Sequence, residues 1–173
     1  MTSVVSHSRA TTGADQADLV RIYLRDHEAA AAGGLRLGRR CWQANRGTVY
    51  APELQRLTTD IRSDRDALRH ICRQCYARTS NARRGIAVLG ATLGRLKLNG
   101  RLIHYSPLSR VIELETLSGG VMTKLRLWES LLLLAEVDKR LDSDALTRLA
   151  DEANEQLEVL RKLHDMAVTE AFG

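Results

Sequence analysis

Apolar residues recur every three or four positions along most of the chain, and no stretch alternates apolar and polar residues between hairpin turns. The pattern therefore predicts helices and no sheet. A first helix is expected over about residues 15–46, with Val20, Tyr23, His27, Ala30, Ala31, Gly34, Leu37, Gly38 and Cys41 on its inward face. A second, over about residues 52–78, turns Leu54, Leu57, Ile61, Asp64, Leu68, Ile71, Cys72 and Cys75 inward. A shorter amphipathic stretch, about residues 83–98, carries Ile86, Leu89, Leu93 and Leu96 and ends at Asn99-Gly100. The third long helix, about residues 107–139, faces the core with Leu114, Leu117, Val121, Met122, Leu125, Trp128 and Leu132. The fourth runs from Asp142 or Ser143 to the C-terminus on Leu146, Leu149, Ala153, Leu157, Leu160, His164 and Ala167.

The punctuation agrees with these bounds. Ser106-Pro107 places a capping hydroxyl before a first-turn proline, Pro52 opens the second helix, and Gly47 and Asn99-Gly100 act as stops. The small residues at 29–34 are expected to let helices approach closely, and Gly119-Gly120 predicts a kink or a very close neighbour. Residues 1–14 are expected to form a tail outside a single domain over residues 15–173. The fold class is all-α: a four-helix bundle with an extra short connecting helix.

Composition narrows the function classes. The chain has 173 residues, 44% of them apolar, enough for one real core. No signal-peptide pattern opens it, and the apolar run at residues 131–134 is far shorter than the ~20 residues of a membrane span. Three cysteines cannot all pair internally, which points to a reducing, cytoplasmic setting. The net charge of +5 is uneven: residues 1–110 hold 19 basic and 8 acidic groups, residues 111–173 hold 7 and 13. That polarity favours pairing between the two parts, or between subunits of a homo-oligomer, over a uniform nucleic-acid surface.

Candidate chemistry lies in the polar residues placed among leucines: His27, Asp64, Glu115, Glu129 and His164. One inward ligand per helix is how bundles build metal sites, with imidazole nitrogens and carboxylates holding iron, manganese or zinc. If the helices alternate in direction, His27 and His164 both lie about 22 residues from one end of the bundle. Asp64 and Glu129 then lie about 13 to 15 residues from it, which separates the two levels by roughly 10–14 Å at the helical rise. That separation weighs against one mononuclear site and favours core groups satisfied by each other.

Cys72-Arg73-Gln74-Cys75 has redox-pair spacing, but it lies inside a helix and lacks further zinc ligands, so its cysteines read as small core residues. Arg62, Arg65, Arg69 and Arg73 form a stripe that could contact nucleic-acid phosphates. Without aromatic interleaving, it reads first as a solvated or docking face. No phosphate loop, dinucleotide fingerprint or nucleophile elbow is present. Trp42 and Trp128 read as packing anchors.

The segments YLRDHEAAAAGGLRLGRR, LTTDIRSDRDAL, GRLKLNG and SPLSRVIELETLSGG resemble ferritin-like helical bundle proteins, particularly small bacterial members. That resemblance implies a ferritin-like four-helix bundle. Its di-iron members use a Glu-x-x-His from each of two helices, a pattern absent here: residues 24, 67 and 161, three before His27, His70 and His164, are Leu, Ala and Arg. The expected function is therefore a non-catalytic interaction or small-ligand-binding protein with no cofactor, no membrane association and a tendency to self-associate. The alternatives are a ferritin-like metal-binding oxidoreductase or metal carrier using His27, Asp64, Glu115, Glu129 and His164, and nucleic-acid binding through the arginine stripe.

Overall fold

The computed structural model describes residues 13–76 and 105–173. Among these, regular structure consists of α1 (Gly13–Ala44), α2 (Ala51–Tyr76), α3 (Pro107–Ala135) and α4 (Ser143–Phe172). The described part is all-α, with no strand. No helix there is long and apolar enough to cross a membrane. The connecting helix expected near residues 83–98 and the tail up to residue 12 lie outside the described residues. Gly13 and Ala14, expected in the tail, already belong to α1.

The caps were legible in the sequence. The Ser106 hydroxyl accepts from the Ser109 backbone N–H, while the Ser109 hydroxyl accepts from the Ser106 N–H, a reciprocal box that satisfies two orphan donors at the start of α3. Asp142 caps α4 by accepting from Ala145 N at 3.0 Å. Two helices end earlier than their periodicity suggests. At the end of α1, Asn45 turns its side chain back to the Cys41 carbonyl at 2.7 Å, and Gly47 takes a positive φ of 81° that reverses the chain. After α3, the Asp138 carboxylate takes the Arg140 backbone N–H at 3.2 Å and its Nε at 2.8 Å, which closes a turn in place of helix.

Side-chain contacts fix the helix directions. Asn45, at the end of α1, receives Arg110 Nε of α3 at 2.6 Å, and Tyr50, just before α2, donates to Glu170 of α4 at 3.0 Å. At the opposite end, Arg140 from the α3/α4 turn donates to the Cys75 carbonyl of α2 at 2.7 Å. The helices thus run up, down, down and up. This corrects the alternating order assumed for the level count. α1 packs along α2 and α3 along α4, whereas the contacts of α1 with α3 and of α2 with α4 are sparser.

The end of the bundle near Asn45 is fastened by a polar cluster. Arg110 is buried, lies over the Tyr50 ring at 4.2 Å, and donates to Asn45 and, at 2.5 Å, to Glu170. Asn45 in turn donates to the Tyr105 hydroxyl at 2.7 Å. The hydrophobic core includes the fully buried Leu54, Leu114, Leu117, Leu127, Leu146, Leu160 and Trp128.

The second helix buries its expected face, and α1 buries Leu37, Gly38 and Cys41 as expected, but its first half departs from expectation. Leu24 and Leu35 of α1 are buried as well, while Tyr23 is 36% exposed. The small-residue expectation also needs correcting. α3 continues unbroken through Gly119-Gly120, and a Cβ built at Gly34, Gly119 or Gly120 meets nothing within 4 Å. At Gly38 the helices do approach closely, where a Cβ would sit 3.2 Å from Thr58 Oγ1. These sites should therefore respond with opposite signs. Gly38→Leu is expected to cost about 1–3 kcal/mol by overpacking, whereas Gly119→Ala and Gly120→Ala are each expected to add about 0.5–1 kcal/mol by removing glycine's freedom in the unfolded chain. Urea unfolding followed by circular dichroism measures both, and losses at all three positions would show that Gly119 and Gly120 also pack tightly.

Candidate functional site

The glycines that do not pack line a cleft of about 560 Å³ between α1, α2 and α3. One wall is the small face of α1, with His27, Ala30, Ala31 and Gly34, and the facing wall is Gly119, Gly120 and Thr123 of α3. Ile61, Leu68, Leu117, Val121, Leu127 and Trp128 form the apolar interior. The cleft exists because α1 and α3 are clasped at both ends and held by little side-chain volume in between. Near one end the Tyr23 hydroxyl donates to Ser130 Oγ at 3.3 Å. Toward the other, Arg40 pairs with the buried Glu113 at 2.9 Å and Arg110 reaches Asn45.

Four charged side chains, Asp64, Arg65, Glu115 and Lys124, give the cleft its polarity. Lys124, on α3, donates from Nζ to Asp64 Oδ2 of α2 and to Gln156 Oε1 of α4 at 2.5 Å. Gln156 Nε2 donates to the same Asp64 oxygen at 3.3 Å, so one buried triad ties three helices together. Burial pushes the Lys124 ammonium below its ordinary range, against the opposing pull of Asp64. Arg65 lines the cleft beside them and donates to Glu28 of α1 at 3.1 Å, and Arg69 joins the same carboxylate at 2.9 Å. These two guanidiniums hold the Glu28 carboxyl below its usual value, more than offsetting its partial burial.

The five residues singled out from the sequence do not gather. His27, Asp64 and Glu115 line the cleft, His164 meets Glu115 at 3.3 Å near the Tyr50 end, and Glu129 pairs with Arg126 on the surface at 2.7 Å. The level count misplaced His27 beside His164 because it assumed alternating helix directions. Among the described residues, no three His, Cys, Asp or Glu side chains come together as a metal-holding group. The donor set also fits a metal poorly: Asp64 is already neutralised by Lys124, and Glu115 faces an imidazole. Of the arginine stripe, Arg65 and Arg69 are taken up by Glu28, and Arg62 and Arg73 are exposed. The thiols of Cys72 and Cys75 are raised by burial, and that of Cys41 is pushed up to about 12, so all three are poor nucleophiles at neutral pH.

Comparison with protein-family models, curated proteins and solved structures returns no match. What the cleft does chemically must therefore be derived from its own side chains. The sequence reading passed over Lys124 and Gln156, although both interrupt apolar stripes, Lys124 between Val121 and Trp128 and Gln156 between Ala153 and Leu160. It also passed over Glu113, which is buried where Glu115 is exposed.

Breaking the triad on one side should be costly. Lys124→Met strands the Asp64 carboxylate and is expected to cost about 3–5 kcal/mol, while Lys124→Met combined with Asp64→Leu should recover most of that loss. Urea midpoints of Lys124→Met, Asp64→Leu and the double variant test this, and additive losses would show that the pair is not coupled. His27 supplies a pH test. Burial lowers its pKa, outweighing the attraction of Asp26. On acidification the unfolded chain takes up this proton near the ordinary value of about 6.5 and the folded chain only at lower pH, so stability falls through that window. His27→Gln should flatten the loss between pH 7 and pH 5 in urea midpoints, and an unchanged slope would remove His27 as its source.

Proposed function

We propose that this protein is a non-catalytic small-ligand carrier or sensor that takes an apolar molecule into the cleft between α1, α2 and α3. The observation that supports this most is the open space over Gly34, Gly119 and Gly120, on facing walls of a 560 Å³ cleft. That volume lies within the range of about 300–1,000 Å³ typical of small-molecule sites, and an apolar lining with a few placed polar groups is their usual composition.

The same reading keeps the ferritin-like resemblance as a proposal about fold. The order of the described helices, up, down, down and up, is compatible with that group's arrangement. In this account the interior that other members devote to metal ligands is occupied by the Lys124–Asp64–Gln156 triad and by the cleft. The test is direct. The uncharged dye Nile red should bind with one-to-one stoichiometry and gain fluorescence. Gly34→Leu combined with Gly119→Leu should weaken it at least about tenfold, a loss of about 1.4 kcal/mol, with thermal stability retained. Equal binding by the filled variant would place the dye elsewhere and overturn the reading. Elemental analysis showing a stoichiometric metal would favour the ferritin-like metal carrier in its place.

A further inference from the structure

We infer that the cleft selects uncharged ligands carrying a carbonyl oxygen on an otherwise apolar body, and that the indole N–H of Trp128 recognises that oxygen. This rests on the small-ligand reading of the cleft and names the ligand class.

The polar groups on the cleft wall are unbalanced in one direction. Trp128 is 1% exposed and lines the cleft, yet its Nε1 has no acceptor among the described residues. Arg65 Nε, on the same lining, is likewise buried without one. An indole nitrogen only donates, and a buried donor left unpaired keeps its full desolvation cost. The acceptors nearby are already used: Asp64 Oδ2 takes Lys124 and Gln156, and Gln156 Oε1 takes Lys124. The two unpaired groups on this wall, Trp128 Nε1 and Arg65 Nε, are both donors, so the ligand group they call for is an acceptor.

Charge then separates a carbonyl from a carboxylate. The lining holds Arg65 and Lys124 against Asp64 and Glu115, two cations to two anions. Both cations are already engaged, Lys124 by Asp64 and Arg65 by Glu28. Burial favours neutral His27, so the imidazole adds no surplus positive charge at neutral pH. An anionic head group would enter an apolar cleft without a free counter-charge, which is strongly unfavourable. A ketone, ester or amide oxygen satisfies the donor without that penalty, and the apolar walls accept the rest of the molecule.

Three probes of similar shape test the inference by calorimetry on the full chain: benzophenone, 1,1-diphenylethylene, which replaces the oxygen by CH₂, and diphenylacetate. Water solvates the ketone better than the alkene, so a purely apolar cleft would prefer the alkene. The expected result is that benzophenone binds at least as tightly as 1,1-diphenylethylene and diphenylacetate binds more weakly than either. Trp128→Phe should weaken benzophenone about tenfold while moving the alkene less than about threefold, as for loss of one hydrogen bond. If that variant fails to fold, the wild-type indole resonance decides: benzophenone should shift the Trp128 Nε1 proton downfield, the alkene should not, and Trp42 should stay unmoved by both. A preference for the alkene, equal losses in Trp128→Phe, or tightest binding of diphenylacetate would overturn the inference. Alkene binding alone would leave the cleft standing as an apolar site, whereas binding of none of the probes would sink both readings.

Discussion

Three of the four helices meet on one ammonium group. Lys124 of α3 reaches Asp64 of α2 and Gln156 of α4 across the middle of the bundle, and Gln156 returns a bond to Asp64. Hydrophobic faces tolerate small slides and rotations, since burial is not directional. A buried charge does not, because displacement by even a few ångströms leaves it unpaired in a medium of low dielectric. The triad therefore sets the axial register and rotation of α2, α3 and α4, and the leucines around it fill the space so defined. α1 stands outside this lock. It is held to α2 by the Gly38–Thr58 approach and the Glu28 pairs, and to α3 by clasps toward its two ends. The cleft opens between α1 and α3, an interface that the triad does not fasten.

That division explains where small residues are used. A glycine facing a neighbouring side chain at contact distance brings two helices together, as at Gly38. A glycine or alanine facing its counterpart across an interface already spaced by clasps leaves room instead. Ala30, Ala31 and Gly34 on α1 and Gly119 and Gly120 on α3 are of the second kind. In a one-dimensional reading the two uses are the same letters at the same spacing, and the separation of the helices decides between them.

The same contrast marks how far the sequence was legible. The four long helices, both caps and the inward face of α2 follow from periodicity and turn chemistry, because each is decided within a few residues. Helix direction is not local: nothing in the spacing of His27 or His164 says that α3 runs parallel to α2, and the assumed alternation carried the two histidines to a false common level. The inward polar residues were partly legible. Asp64 was found because an acid among leucines stands out. Lys124 and Gln156 were passed over because a long side chain on an apolar stripe reads as one that snorkels to solvent. Glu113 and Glu115 are two residues apart and cannot share a face, and the choice between them depended on a rotation of α3 that only its packing against α1 and α4 settles. Trp128 was correctly read as a core anchor, but its unpaired N–H could not be foreseen without the positions of its neighbours.

The charge asymmetry acquires a specific meaning in this light. Arg40 pairs with Glu113 and Arg110 with Glu170, so arginines from the basic part of the chain do dock on acids of the later part. The central pair reverses that polarity, with the acid in the early part and the cation in the late part. It also uses a lysine, one of only 4 beside 22 arginines. Arginine brings five N–H donors in a rigid fork and serves where it can reach more than one acceptor, as Arg110 does with Asn45 Oδ1 and Glu170 Oε2. The middle of the bundle offers two acceptor oxygens, Asp64 Oδ2 and Gln156 Oε1, inside an aliphatic shell. A guanidinium there would bury donors that nothing could satisfy, whereas a compact ammonium on a flexible stem matches the two oxygens and leaves the adjoining volume to the cleft.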